Sequence, residues 1–219
     1  AIDYLLKYSG DPHKLEMDFF GGEPLMAFDV VKEVVDYARS KEKEYNKNFR
    51  FTITTNGMLL TDDKIDYINK EMYNVVLSLD GRKEVNDRMR FCVNGSGSYD
   101  IILQIPEDGK VRGDGQYYIR GTFTKYNKDF SNDVLHFYEK GFEQISIEPV
   151  VTDPKLPYAL TEEDLPEVYA EYEKLAKIII EKRKNGEFFN FFHFMIDLDQ
   201  GPCAIKRLRG CGCGNEYVS

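Results

Sequence analysis

The sequence predicts an α/β protein built on a parallel sheet, and two patterns support this fold class. Short apolar runs typical of buried strands alternate with longer segments of helical periodicity, and strands spaced by helices imply parallel pairing through right-handed crossovers. Parallel α/β folds place their sites at the carboxyl ends of the strands. Three successive runs end there in small or polar residues: Gly21-Gly22-Glu23-Pro24, Thr54-Thr55-Asn56-Gly57 and Ser78-Leu79-Asp80-Gly81.

The predicted elements follow this alternation in order. Strands are predicted at residues 15–20, 51–54, 75–79, 117–124 and 144–151, and helices at 28–46, 61–72, 131–140 and 160–186. Thr61 is a favourable N-cap for the second of these helices, and Gly186 is a favourable C-cap for the last. Ile2, Leu5 and Leu6 have the spacing of a further helix at the start of the chain.

Two segments depart from the alternation. Glycine and proline recur through residues 92–115, which predicts loops with one helical piece at 98–104. Residues 188–195 are densely aromatic, and we predict that they are buried.

Composition narrows the classes of partner. The 219 residues carry a formal net charge of −9, with 42% hydrophobic and 31% charged residues, as in an ordinary globular protein. The acidic balance argues against nucleic acid or an anionic membrane as partner, and no apolar run is long enough to span a bilayer. We therefore expect a cytoplasmic protein. The chain begins with Ala1 and not with Met, and we expect both ends to be cuts through a longer protein.

The cysteines are unevenly placed. Cys92 stands alone and is predicted to be structural, whereas Cys203, Cys211 and Cys213 cluster near one end. In so long a chain this clustering indicates metal or cluster ligation and not a disulfide framework. Both an iron–sulfur cluster and tetrahedral zinc are compatible with it. None of the three histidines has metal-binding spacing, and His193 is predicted to be a hydrogen-bonded core residue.

These motifs resemble the radical S-adenosylmethionine (SAM) enzymes, and among them the SPASM-type peptide maturases. Residues 20–25 resemble the GGEP element after the family's second strand, and residues 201–217 resemble the entry to a SPASM domain. Residues 54–57, 78–81, 118–124 and 145–150 resemble the third to sixth strands and their ends. Within the family, the chain is most similar to the maturases of six-cysteine-in-forty-five (SCIFF) peptides.

The resemblance implies a fold in two parts. Residues 1–186 would form a partial (β/α)6 TIM-like barrel, and residues 187–219 a bridging segment and the start of a Cys-rich auxiliary-cluster (SPASM) domain. The family's C-x-x-x-C-x-x-C motif, which holds the catalytic [4Fe-4S] cluster, is absent from the 219 residues. We expect it upstream of Ala1, and most auxiliary-cluster cysteines beyond Ser219. These residues alone are therefore expected to be inactive.

The resemblance also implies a reaction. One electron from the cluster would cleave SAM, and the resulting radical would take hydrogen from a ribosomally made, Cys-rich precursor peptide. The product would be a thioether between a Cys sulfur and an α-carbon, with ferredoxin or flavodoxin as the electron donor. Two alternatives stay open. One is a sulfatase-type maturase that forms formylglycine, and the other is a non-catalytic barrel fragment that binds a nucleoside or a peptide.

By the same resemblance, Gly21, Gly22 and Glu23, followed by Pro24, would line the pocket for the methionine ammonium of SAM. Main-chain carbonyls at a strand end supply acceptors there without adding a full charge. For a lone GGEP motif, a simple strand-exit turn is the alternative. Asn56 is a further candidate, although turn chemistry explains Asn-Gly equally well.

Ser78 would contact a ribose hydroxyl, or else fill the top of the barrel as a small residue. Arg120 would hold the methionyl carboxylate through a bidentate contact, although Asp80 or Glu148 could equally be its partner. Asp80 and Glu148 are themselves included among the candidate cofactor contacts, and residues 147–150 would pack on adenine. Cys203 and Cys211 would ligate an auxiliary cluster, with Cys213 a buried free thiol.

Overall fold

The computed structural model describes residues 1–107 and 116–195. Within these ranges, helices and strands alternate as predicted. The strands are β1 (Lys14–Phe19), β2 (Asn48–Thr55), β3 (Asn74–Ser78), β4 (Gln116–Phe123), β5 (Gln144–Pro149) and β6 (Asn190–Phe191). The helices are α1 (Ile2–Tyr8), α2 (Phe28–Tyr45), α3 (Asp62–Glu71), α4 (Lys83–Met89), α5 (Tyr99–Glu107), α6 (Phe130–Glu139) and α7 (Leu165–Lys184).

The strands form one parallel sheet whose spatial order, β1-β2-β3-β4-β5-β6, is the order of the chain. At least one helix lies in every connection between consecutive strands, as parallel pairing requires. In the described residues β1 and β6 each pair on one side only, so the sheet is open. The predicted α/β class is confirmed, and the open sheet is consistent with a partial barrel.

The helices cover one face of the sheet. In β2 every second side chain is buried, and Phe51 and Ile53 share a core cluster with Val35 of α2 and Ile68 of α3. A second cluster joins β3, β4 and β5 to α5, α6 and α7. Because side chains alternate along a strand, this arrangement leaves the intervening positions for the opposite face.

Three details differ from the sequence prediction. Helix α4 and strand β6 were not predicted, since each is short and has no strong periodicity. The aromatic run is only partly buried: Phe189 and Phe191 are enclosed, but Phe188 and Phe192 are each more than half exposed. Side chains alternate along a strand, so successive side chains around β6 point to opposite faces of the sheet. Thr61 is the N-cap of α3, but its hydroxyl donates to Asp63 and makes no capping bond.

The sheet also extends beyond residue 186, where the sequence places the end of the barrel, because Asn190 and Phe191 pair with β5. The boundary of a further domain stays a prediction. Within residues 1–107 and 116–195, every helix is too short or too polar to cross a bilayer.

Candidate functional site

A row of polar side chains crosses the sheet near its carboxyl edge. Ser78 of β3, Arg120 of β4 and Ser146 of β5 are neighbours in register, and Glu148 lies two residues further along β5. Alternation places all four on the face that the helices leave free. The sequence therefore predicts correctly that polar residues from separate strand ends meet at one edge.

Glu23 ties the first two strand ends together. Its carboxylate accepts hydrogen bonds from the Thr55 hydroxyl (2.7 Å), the Asn56 backbone N–H (2.8 Å) and the Leu25 backbone N–H (3.0 Å). The Asn56 side-chain oxygen in turn accepts from the Met58 backbone N–H at 2.9 Å. The Asn56 side chain thus serves the turn, in agreement with the turn alternative, and Glu23 has a structural task whatever else it contacts.

The two glycines before Glu23 lie in open space. Gly21 has φ +91°, a left-handed value that favours glycine, whereas Gly22 has no such constraint. A Cβ added at either position would meet no atom of residues 1–107 and 116–195 within 4 Å. The fold therefore gives no packing reason for a glycine at position 22, and both peptide groups are accessible to a ligand. Pro24 begins the 3-10 turn Pro24–Ala27, a favourable position for proline.

Asp80 has a different partner from the one expected. Its buried carboxylate pairs with Arg90 at the end of α4 (2.9 Å) and accepts the Thr122 backbone N–H (2.9 Å). The expectation that Asp80 could partner Arg120 is wrong, because the carboxylate binds Arg90 and the Thr122 backbone instead. A role for Asp80 in cofactor contact stays a prediction.

Arg120 is exposed at the same edge. Among the described residues, no carboxylate lies within ion-pair distance of its guanidinium. Its positive charge nevertheless acts on Glu148, across one strand pair. An exposed guanidinium at this edge could bind a planar anionic group of a ligand, such as a carboxylate, through two parallel hydrogen bonds.

Glu148 belongs to a chain of hydrogen bonds. Its carboxylate accepts from the Ser146 hydroxyl (2.7 Å) and contacts His193 Nε2 (2.7 Å), and His193 Nδ1 contacts the Tyr172 hydroxyl (2.7 Å). Burial raises the pKa of Glu148, but the hydrogen bonds from Ser146 and His193, and then the charges of His193 and Arg120, outweigh it and hold the pKa below its ordinary value. Burial, and secondarily Glu148, raises the pKa of Tyr172 to about 12.

Sequence reasoning anticipated the hydrogen bonding of His193 but missed its place beside the site, and it missed Tyr172 altogether. His193 is half-buried and not a core residue. No local motif marks either residue, since the contacts of His193 span 45 positions to Glu148 and 21 to Tyr172. The only available signal was a histidine following an aromatic run.

The described residues include no group of three or more His, Cys, Asp or Glu that could hold a metal ion. Cys92 is half-buried, and its thiol lies 3.8 Å from the Gly97 carbonyl oxygen within one turn, which fits a structural residue. Cys203, Cys211 and Cys213 lie outside the described residues, so their ligation of a cluster or of zinc stays a prediction.

Sequence comparison finds related enzymes. The chain is 29% identical over 156 residues to a cysteine-type anaerobic sulfatase-maturating enzyme of Clostridium novyi, a match covering 67% of this chain and 40% of the relative. It is 26% identical over 146 residues to the radical SAM cyclopropyl synthase TigE of Paramaledivibacter caminithermalis, covering 63% of this chain and 29% of the relative. No family model matches the chain.

Comparison with solved structures finds proteins of the same fold. The structure of native anSMEcpe with bound AdoMet and the Kp18Cys peptide matches with a TM-score of 0.76 at 20% identity, over 88% of this chain and 54% of that one. The chain spans less than two thirds of the length of each of these relatives. By sequence, this chain is similar to a sulfatase-maturating enzyme and to a radical SAM cyclopropyl synthase, and it shares its fold with anSMEcpe.

Proposed function

We propose that this chain is the SAM-binding barrel of a maturase that installs a thioether crosslink, from a Cys sulfur to an α-carbon, in a ribosomally made Cys-rich peptide, as the SCIFF maturases do. One observation carries the SAM assignment. The accessible backbone of Gly21 and Gly22 and the exposed guanidinium of Arg120 lie at the same edge of a parallel sheet. The related structure that contains AdoMet and a peptide supports both ligands.

These residues suit the amino-acid end of SAM. Main-chain oxygens at Gly21 and Gly22 would accept from the ammonium, and Arg120 would bind the carboxylate. Ser78, one strand away in register, would contact a ribose hydroxyl. SAM supplies radical hydrogen abstraction when an iron–sulfur cluster reduces it. The barrel's own residues would bind and orient it and exclude water.

SAM affinity measured by calorimetry tests the site. We expect Arg120→Ala to lose about ten-fold or more in affinity, the value of a charge-assisted contact. Gly22→Ala should also weaken binding while leaving the fold intact, because no atom of the described residues lies within 4 Å of a Cβ placed there. Arg50→Ala is the matched control, since Arg50 lies nearer the amino edge of β2 and stacks on the Tyr73 ring at 4.3 Å. Equal affinity in wild type and Arg120→Ala would contradict the proposal.

The relationship to a cysteine-type sulfatase-maturating enzyme favours a second candidate, formylglycine formation. Mass analysis of a Cys-rich peptide co-expressed with a protein that contains this chain separates the two. Loss of two hydrogens with a blocked thiol indicates a thioether, and a new aldehyde indicates formylglycine. An unmodified peptide together with normal SAM binding would favour a non-catalytic module. Ferredoxin or flavodoxin is the proposed electron donor, and Cys203 and Cys211 the proposed auxiliary-cluster ligands.

A further inference from the structure

Three arginines lie in or next to α4, and two of them have structural partners. Arg82, just before the helix, pairs with the buried Asp133 of α6 at 2.8 Å, and Arg90, just after it, pairs with Asp80 at 2.9 Å. Arg88 is exposed in the last turn. Among the described residues, no carboxylate lies within ion-pair distance of its guanidinium. The fold therefore gives Arg88 no ionic partner, unlike the two arginines that fix the ends of the helix.

Arg88 is held over an aromatic ring. Its Cζ atom lies 3.5 Å from the centroid of the Tyr126 ring. The turn that carries Tyr126 is fixed, because Thr124 Oγ1 accepts from the Tyr126 backbone N–H (3.1 Å) and Asn127 Oδ1 accepts from the Thr124 backbone N–H (2.8 Å). Stacking uses the face of a guanidinium, whereas its N–H donors lie in the plane. The donors of Arg88 therefore stay available to a planar acceptor.

Arg88 and Tyr126 line a cleft of about 160 Å³ between α4 and the turn after β4, which we call the Arg88 cleft. Glu84, Val85 and Met89 of α4 line it too. Pockets for whole small molecules usually measure about 300 Å³ or more, so the Arg88 cleft has the size for a single side chain. A fork of N–H donors beside apolar side chains suits a carboxylate on a short methylene stem, as in Glu or Asp.

The Arg88 cleft lies at the carboxyl edge of the sheet. Helix α4 follows the end of β3, and Tyr126 lies in the turn that follows β4. Ser78 and Arg120, two of the proposed SAM contacts, belong to these same strands and are neighbours in register. A peptide held over SAM at this edge would therefore place neighbouring residues beside the cleft.

We propose that the Arg88 cleft binds the side chain of an acidic residue, Glu or Asp, of the precursor peptide, with the carboxylate on the Arg88 guanidinium. This inference rests on the proposed function for the presence of a peptide at this edge. Arg88 is a specificity-determining residue in this scheme. The Tyr126 ring is a positioning group, because it acts on the peptide through Arg88.

Glu84 limits the strength of this contact. Its exposed carboxylate also lines the Arg88 cleft, and it lies 3.9 Å from Arg82 Nε. A negative charge at this position opposes the binding of a second carboxylate. We therefore expect a modest preference, about four-fold in affinity, for a carboxylate over the corresponding amide.

The test compares two probes by NMR titration of the ¹⁵N-labelled chain of 219 residues. The probes are Ac-Glu-NH2 and Ac-Gln-NH2, which have nearly the same shape and differ in side-chain charge. We expect Ac-Glu-NH2 to shift the Arg88 Nε–Hε signal and to bind about four-fold more tightly than Ac-Gln-NH2. Acetate should bind more weakly than Ac-Glu-NH2, because it lacks the methylenes that would contact Val85 and Met89. Equal binding of acetate would indicate a site for free anions and overturn the peptide assignment.

Variants of the Arg88 cleft should change the preference in opposite directions. Arg88→Gln should make the two probes bind equally, and Arg88→Lys should be intermediate, because it keeps the charge but lacks the planar fork. Glu84→Gln removes the opposing charge and should raise the preference about two-fold. Arg183→Gln is the matched control, since Arg183 is exposed in the last turn of α7 and lies 5.3 Å from the Phe188 ring, outside the cleft. It should follow wild type.

Three results would overturn this inference alone: equal binding of the two probes to wild type, an unchanged preference in Arg88→Gln, or an Arg88 signal that does not shift. A loss of SAM affinity in Arg88→Gln as large as that in Arg120→Ala would assign Arg88 to SAM and overturn it as well. Failure of the wild type to bind SAM would instead overturn the proposed function. It would remove the reason to name a precursor peptide as the source of the acidic residue, whereas the preference of the cleft for a carboxylate would still be measured with the two probes.

Discussion

The Glu23 carboxylate accepts a hydrogen bond from the Thr55 hydroxyl, with 2.7 Å between Oε1 and Oγ1, and so joins the turn after β1 to the end of β2. Two backbone N–H groups, of Leu25 and Asn56, complete its contacts. Glu23 thus holds the adjoining Gly21 and Gly22 at the edge of the sheet. The Gly21-Gly22-Glu23-Pro24 motif therefore also has a structural role, because Glu23 links the turn after β1 to the end of β2.

Removing this clamp should destabilise the fold. We expect Glu23→Ala to lower the free energy of unfolding by about 2 kcal/mol, because three donors lose a charged acceptor. Urea unfolding of the variant and of wild type measures this change in the free energy of unfolding. Glu33→Ala, at an exposed position of α2, should change stability by less than about 0.5 kcal/mol. Equal effects from the two variants would show that the Glu23 contacts contribute nothing.

Gly121 allows β3 and β4 to approach closely. A Cβ at this position would lie 2.3 Å from the Leu79 carbonyl oxygen and 2.9 Å from the Asp80 Cα, and these backbone atoms have little freedom to move. We expect Gly121→Ala to cost about 3 kcal/mol in unfolding free energy. Gly22→Ala, with no atom within 4 Å, is the control and should unfold at nearly the wild-type urea concentration. A wild-type midpoint for Gly121→Ala would contradict this packing.

Protonation of Asp164 should lower the free energy of unfolding at acid pH. Its carboxylate accepts from the Thr161 backbone N–H and hydroxyl and from Lys128, each at 3.0 Å, and the backbone bond and then Lys128 hold its pKa well below the usual 3.8. A lowered carboxyl pKa stabilises the folded state above the unfolded pKa, and this contribution is lost as pH falls through the folded value.

Asp164→Asn should therefore unfold at lower urea than wild type at pH 7, and the two midpoints should converge as pH falls below 3.8. Glu163→Gln, at the exposed neighbouring position, should track wild type throughout. A difference between Asp164→Asn and wild type that stays constant down to the lowest accessible pH would rule out this linkage.

A polypeptide of these 219 residues should not cleave SAM. It contains no C-x-x-x-C-x-x-C motif, so it lacks the three closely spaced thiolates of the family's catalytic cluster. After anaerobic treatment with iron and sulfide, and with a strong reductant, we expect no 5′-deoxyadenosine by chromatography. A radical SAM enzyme that contains this motif is the positive control. Formation of 5′-deoxyadenosine by the polypeptide would mean that the active cluster has been placed wrongly.

The strand ends that carry Glu23, Ser78 and Arg120 were predictable from the sequence. Each follows from a short apolar run that stops at glycine or a polar residue, which is a local pattern. The partners of these residues were not predictable in the same way. Asp80 pairs with Arg90 and not with Arg120, and nothing in the order of the residues distinguishes these two cations.

The sequence by itself determined the alternation of the longer strands and helices, their parallel pairing and the edge at which polar residues collect. It did so because periodicity and chain reversal depend on neighbouring residues. The tertiary structure alone decided that Glu23 clamps β2 and that His193 lies between Glu148 and Tyr172. Such contacts join residues from separate elements, and their hydrogen bonds require distances near 3 Å that only the packed chain establishes.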